Sequence, residues 1–256
     1  GEITLAKVDF LMAQDGTAPL VIKAFEQFGA EKVFNTAKAT FVIDHNSPSQ
    51  SQGVSALHKM MRDFVKKYGI GLFDIGEGVC HILLPERGLI KCGDLVLGAD
   101  SHTPTYGALN VMSCGVGSTD LAIALLTGSQ WFKVPQTIKI ILKGKKQKGI
   151  YGKDIALYIV KTLTAEGATY KSVEIKGPAV KDITMSERFT LCNLMTEVGA
   201  KCGIMEADKR TERWLREHNV KRYKAVFPDK DAIYEREVEI DIAKISPQVA
   251  KPHTVD

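Results

Sequence analysis

Three polar groups in this 256-residue chain combine residue types suited to proton transfer: Asp44-His45, His81, and Asp100-Ser101-His102. A carboxylate bonded to an imidazole fixes the ring's tautomer and raises its pKa, so such pairs serve as general acids and bases. A hydroxyl beside them can hold an anionic substrate. Three of the six histidines stand in these groups; the others, His58, His218 and His253, lie in helical or tail contexts and are expected at the surface. Asn193 and Glu197 are four residues apart, which puts them on one helix face. Asp, His and His could also ligate zinc, but no His-Glu-x-x-His is present. Gly76-Glu77-Gly78 does not extend to a dinucleotide fingerprint, and no Gly-x-x-x-x-Gly-Lys-Ser/Thr occurs, which argues against nucleotide-driven chemistry.

Each polar group follows an apolar run. Residues 39–43 read as a buried strand ending on Asp44-His45. Residues 71–75 form a shorter strand that enters the turn 76–81, and residues 94–97 lead into Gly98-Ala99-Asp100. Helices separate these runs. Pro19 opens one that carries Leu20, Ile22, Phe25 and Phe28 and stops at Gly29. Residues 50–68 have helical spacing through Val54, Leu57, Met61 and Val65, closed by Gly69. Alternating strands and helices imply parallel sheets, and in such sheets ligands bind beyond the carboxyl ends of the strands. The three groups are therefore expected to converge on one edge.

A helix over 118–127 precedes a boundary at 131–135, and the pattern then restarts. It continues with a strand at 137–142, a helix at 153–163, a strand at 172–175, and a half-exposed strand within 231–242. Thr184 and Glu187 have capping-box spacing and open a helix running to about Gly199. The expected organisation is α/β with two domains, 1–134 and 135–245, followed by a linker, 246–256.

Composition bounds the function. An apolar content of 45% with 25% charged residues is that of a globular protein. The net charge of +4 suits a small anionic substrate and is too small and dispersed to argue for nucleic acid. The densest basic run, 143–148, has no aromatics and reads as a solvated turn. Cys80, Cys92, Cys114, Cys192 and Cys202 are odd in number and contain no Cys-x-x-Cys, so a disulfide framework is not expected and a reducing, cytoplasmic setting is. No signal peptide and no apolar run of membrane-spanning length is present.

Six segments appear in order: Met12-Ala13-Gln14-Asp15-Gly16-Thr17, Asp44-His45, Gly78-Val79-Cys80-His81, Gly98-Ala99-Asp100-Ser101-His102-Thr103, residues 115–120 (Gly-Val-Gly-Ser-Thr-Asp), and residues 193–200 (Asn-Leu-Met-Thr-Glu-Val-Gly-Ala). In combination they resemble the aconitase superfamily over nearly the whole chain, above all its branch of 3-isopropylmalate dehydratase and homoaconitase large subunits. The resemblance implies two aconitase-like α/β domains with mainly parallel sheets, and a [4Fe-4S] hydro-lyase that isomerises a hydroxy-acid by dehydration and rehydration. A substrate of the isopropylmalate type would belong to leucine biosynthesis. Homoaconitate or citrate, in lysine biosynthesis or the citrate cycle, is the alternative; a non-catalytic RNA-binding relative and a cluster-free metal enzyme are alternatives of other classes.

Carried over by position, Asp44 and His45 resemble the pair that protonates the departing hydroxyl, and His81 with Asp100 a second ion pair. His102 and Glu197 resemble the groups that hold water or hydroxide at the iron. Gln14 and Ser101 match substrate-binding positions, and Asn193 one beside the cluster. Pro104 stands where many isopropylmalate dehydratases have Cys, and Ile82 where the family usually has Gln. The cluster's three cysteines are expected in a third domain outside these residues, and none of the five here matches them. The catalytic serine and the specificity loop are expected on a separate small, swivelling subunit.

Overall fold

Residues 10–14 feed two cores at once: Phe10 and Met12 pack to one side of their sheet, Leu11 and Ala13 to the other. A strand covered on both faces belongs to a parallel sheet flanked by other layers. The computed structural model describes residues 1–255. Its first half runs β1 (Ile3–Lys7), β2 (Phe10–Gln14), α1 (Ala18–Gln27), β3 (Ala39–Val42), α2 (Gln52–Tyr68), β4 (Gly71–Phe73), α3 (Cys80–Glu86), β5 (Leu95–Gly98), β6 (Met112–Gly115), α4 (Ser118–Thr127) and β7 (Ser129–Lys133). The remainder runs β8 (Thr137–Lys143), α5 (Gly152–Leu163), β9 (Ser172–Lys176), α6 (Met185–Asn193), β10 (Cys202–Met205), α7 (Lys209–Glu217) and β11 (Arg236–Asp241).

Strands β4-β3-β2-β5-β6 form a five-stranded sheet and β10-β9-β8-β11 a four-stranded one, every pairing in them parallel. Strands β1 and β7 make a separate antiparallel ribbon. Alternation along β3 and β5 repeats that of β2. Phe41 and Leu97 join the core of Ile22, Phe25, Met61, Phe64 and Leu125, whereas Val42 and Val96 join that of Leu84, Tyr106, Ile138 and Ile140. The second core thus runs without a break from one parallel sheet to the other.

Local signals account for most boundaries. The Ser51 side chain accepts from the Val54 N–H and starts α2, and Gly69, at φ 75°, ends it in a conformation that a side chain would strain. Thr184 and Glu187 form the expected reciprocal capping box at the start of α6. That helix stops at Asn193; residues 194–198 tighten into a 3-10 turn, closed by left-handed Gly199. Arg188, fully buried, reaches Asp208 at the head of α7 with both Nη atoms and ties the two helices together.

The structure corrects several expectations. His58 is not a surface residue: it lies in the buried stripe of α2 with Met61 and Phe64. Leu20 and Phe28 of the first helical segment are exposed. His81 sits in the first turn of α3 rather than in a loop. Strands β6 and β10, of sequence Met-Ser-Cys-Gly and Cys-Gly-Ile-Met, escaped notice because four residues of mixed polarity carry no periodicity.

The 3-10 segment Thr103–Leu109 leaves the site and packs against α6 and β10 of the second sheet. A Cβ on Gly107 would lie 1.7 Å from the Gly203 carbonyl oxygen, so only glycine permits this approach. Asn110, at φ 62°, donates from Nδ2 to the carbonyls of Met205 and Val226, each at 3.0 Å, and accepts from the Val226 N–H at 2.7 Å. Among the described residues no helix is long and apolar enough to cross a membrane.

Gly107→Ala should therefore cost about 1–3 kcal/mol or more, the range of overpacking a close contact. Gly53→Ala, in the first turn of α2, where a Cβ would meet only the Ser51 Oγ at an ordinary 3.7 Å, should be neutral or stabilising by up to about 1 kcal/mol. Thermal and urea denaturation of the two variants checks the contrast.

Candidate active site

Three neighbouring strands of the five-stranded sheet end in acids. Asp15 follows β2, Asp44 lies beyond β3, and Asp100 lies beyond β5. Parallel strands deliver these residues to the same edge, where ligands bind in open α/β sheets.

The Asp44 side chain is almost wholly buried, and both its oxygens are engaged. Oδ1 takes His45 Nδ1 at 2.7 Å, and Oδ2 accepts the Cys80 N–H, at the first turn of α3, at 2.6 Å. His45 is 38% exposed, so it presents one side of its ring outward while Nε2 lies 3.4 Å from Asp100 Oδ2. Partial burial opposes a charge on this imidazole. The Asp44 hydrogen bond and the charges of Asp44, Asp100 and Asp15 outweigh it and raise the pKa above the ordinary value.

Asp100 is the hub. Its Oδ1 takes His81 Nε2 at 2.9 Å and the His102 N–H at 2.7 Å; its Oδ2 faces Gln14 Nε2 and His45 Nε2, both at 3.4 Å. Burial again disfavours ionisation, but the His81 and His102 hydrogen bonds with the His81 and His45 charges hold the carboxyl well below the usual carboxylate range. His81 Nδ1 is buried without a partner among the described residues. The His81 and His102 ring centres are 6.3 Å apart.

His102 extends the array to the second half of the chain. Its Nε2 lies 3.3 Å from Glu197 Oε1, and its Nδ1 3.2 Å from the Ser101 hydroxyl. Asn193 Nδ2 donates to Thr105 Oγ1 at 2.9 Å, and that hydroxyl donates to the His102 carbonyl at 2.6 Å. Asn193 thus braces the turn that presents His102. Gln14, Asp100 and Ser101 also line an open pocket of about 810 Å³ with Pro104, Thr196 and Lys201; His45, His81 and His102 stand beside it rather than on its wall.

The structure therefore brings Asp44, His45, His81, Asp100, His102 and Glu197 into one run of contacts, with Gln14, Ser101 and Asn193 against it. Two neighbours escaped sequence reasoning. Asp15 accepts the backbone N–H groups of Asp44, His45 and Asn46, and His58 Nε2 lies 3.2 Å from its Oδ2. Asp15 follows Gln14 in a Gln-Asp-Gly-Thr turn, and His58 falls on the helical stripe of Val54, Met61 and Val65; both were visible signals.

The thiols do not fit an iron–sulfur site. All five cysteines are buried and free. The closest set of potential ligands among the described residues, Asp44, His45 and Cys80, holds one sulfur. Burial, with the Asp44 charge, pushes the Cys80 thiol far above its ordinary value, and burial does the same to Cys192 and lifts Cys92 to about 11. Thiols held protonated in this way are poor ligands, although hydrogen bonds with Cys114 and Ser172 lower the pKa of Cys202, and both Asp44 oxygens are already bonded.

Two measurements follow. Titrated by NMR, His45 should show a pKa above 6.5, and Asp44→Asn should lower it. The same shift favours the folded chain fully below about pH 6.5, the ordinary histidine value, and this contribution is lost as pH rises through the raised value. Anaerobic reconstitution of the 256-residue chain with iron and sulfide should leave no stoichiometric cluster, measured by visible absorption and iron counting.

Comparison with known proteins identifies the family. The family described as aconitase family (aconitate hydratase) matches residues 1–256. The 3-isopropylmalate dehydratase large subunit of Caldicellulosiruptor saccharolyticus is 48% identical over 255 residues, covering 99% of this chain and 59% of that protein. The 3-isopropylmalate dehydratase large subunit 1 of Thermotoga maritima is 47% identical over 260 residues, covering 100% and 61%. That of Pyrococcus furiosus is 44% identical over 255 residues, covering 99% and 60%. The chain thus spans about three fifths of the length of these relatives. The crystal structure of Thermococcus kodakaraensis aconitase X (holo-form) superposes with a TM-score of 0.51 at 12% identity, covering 93% of this chain and 58% of that one, a likeness of fold. Matched along its whole length by that family, the chain belongs to the aconitase family.

Proposed function

We propose that these residues form the proton-handling part of the large subunit of a hydro-lyase that isomerises 3-isopropylmalate by dehydration and rehydration. The observation that carries the reading is the run of contacts from Asp44 through His45 and Asp100 to His81, set beside Gln14 and Ser101 at the pocket. The names of the relatives, 3-isopropylmalate dehydratase large subunit, support the choice of substrate. The reading carries with it a division of the chain near residue 135 and a cytoplasmic, leucine-biosynthetic setting.

In this mechanism His45 is the acid. Asp44 holds its Nδ1 and Asp100 stands 3.4 Å from its Nε2, both favouring the protonated ring, and Nε2 is the atom that gives its proton to the substrate. A hydroxide leaves poorly, so a proton delivered from His45 as the C–O bond breaks lowers the barrier. His81 compensates the negative charge of Asp100, which prevents Asp100 from taking the His45 proton for itself. His102 and Glu197 hold the released water for return to the neighbouring carbon. Ser101 and Gln14 bind the substrate's oxygens, and Asn193 fixes the His102 turn. A [4Fe-4S] cluster, which the thiols of these residues do not fit, would be held by other thiolates of the complete enzyme and would supply Lewis-acid chemistry there. The small subunit supplies the base that removes the carbon-bound proton.

Steady-state kinetics of the complete protein with its small subunit, against 3-isopropylmalate, homoaconitate and citrate, tests both substrate and roles. Turnover should be highest on 3-isopropylmalate. His45→Ala should lower kcat about 10²- to 10⁴-fold with little change in KM, and Ser101→Ala should act mainly on KM. Iron content is to be equal in all samples. A near-normal kcat in His45→Ala would reduce Asp44-His45 to a structural strand end.

A further inference from the structure

Behind the Asp44–His45 pair stands a second carboxylate–imidazole pair that does not reach the pocket. Asp15 is 1% exposed, as is His58 on the inner face of α2. Four donors converge on the Asp15 carboxylate. Oδ1 accepts the N–H groups of Asp44 and His45 at 3.1 and 2.8 Å; Oδ2 accepts the Asn46 N–H at 2.8 Å and His58 Nε2–H at 3.2 Å. Neither residue lines the pocket.

The three amides held this way are consecutive, and two belong to the proposed acid and its partner. A buried carboxylate with this many donors stays ionised. Burial opposes the charge, but the His45, Asn46 and Asp44 amides and His58 bring the Asp15 carboxyl down to about 2. A loop that needed only anchoring could be packed by apolar side chains; here a charge is buried and fully bonded beneath the residue whose orientation matters most. The His58 side chain, 2% exposed, is confined within α2's packing, and it holds the same Asp15 oxygen that accepts the Asn46 amide.

We propose that Asp15 and His58 are positioning residues for His45: Asp15 sets the backbone of residues 44–46 so that the imidazole stands between Asp44 and Asp100, and His58 fixes Asp15. The assignment rests on the reading of His45 as the acid. Outer partners of functional groups typically matter by about 10- to 100-fold in activity, because small misplacements of a reacting group are costly.

The test uses the complete enzyme with its small subunit and 3-isopropylmalate, with kcat and KM normalised to iron content and folded fraction. His58→Gln places an amide N–H near the Nε2 position and should keep kcat within about threefold, whereas His58→Asn, whose amide falls short of Asp15, should lose about 10- to 100-fold in kcat with KM little changed. Asp15→Asn should lose a similar factor. Should Asp15→Asn not fold, the Gln and Asn variants of His58 decide alone, being similar in polarity and different in reach. His45→Ala is the control. If it loses kcat while His58→Gln and His58→Asn turn over equally, the positioning role is overturned and the reading of His45 stands; if His45→Ala itself keeps kcat, both fall.

Discussion

Burying carboxylates at the ends of three adjacent parallel strands is the constraint on which this structure depends. Asp15, Asp44 and Asp100 have side chains that are at most 9% exposed, and a charge in that position is costly unless donors surround it. The fold supplies those donors from both directions. Backbone amides at residues 44–46, 80 and 102 point at the acids, and His45, His58 and His81 complete them. The same bonds that make the burial tolerable lock the imidazoles in place, so stability of the strand ends and readiness for proton transfer have one cause.

A second constraint joins the halves of the chain. Glu197 and Asn193 reach the His102 turn only because the segment after His102 lies tightly against the second sheet. The Gly107–Gly203 approach and the Asn110 bonds to Met205 and Val226 make that contact, and the core around Tyr106 and Ile138 continues across it. The capping box at Thr184 and the Arg188–Asp208 pair fix where α6 begins and how it lies, and so where it ends at Asn193. Geometry at one carboxylate–imidazole contact therefore depends on packing in both sheets.

The electrostatics divide the array into two parts. Around Asp100 the negative charge is shared among His45, His81, Gln14 and the His102 amide, and with Asp44 it favours the charged form of the partly exposed His45. His102 and Glu197 form a more open pair, each about one-third exposed, on the side toward the second half of the chain. A buried charge reservoir beside a solvated pair suits chemistry in which a proton is delivered and water is exchanged.

The sequence alone determined the residue types of the site, the apolar runs before Asp44 and Asp100, the glycine that stops α2, the capping box of α6, and the family resemblance carried by motifs such as Gly98-Ala99-Asp100-Ser101-His102-Thr103. These are local signals: a strand's apolar run, a capping box, a glycine after a helix. What only the tertiary structure decided is which acid meets which imidazole. Asp100 pairs with His81, nineteen residues earlier in number but on another element, and Asp15 meets His58 across 43 positions. His58 falls on the same helical stripe as Val54, Met61 and Val65, so its burial was legible in the periodicity; only its partner, Asp15, was not. The short strands β6 and β10 were likewise invisible, since four residues take their conformation from the strands they pair with rather than from their own periodicity. Contacts between distant residues are fixed by packing, and packing is a property of the whole fold.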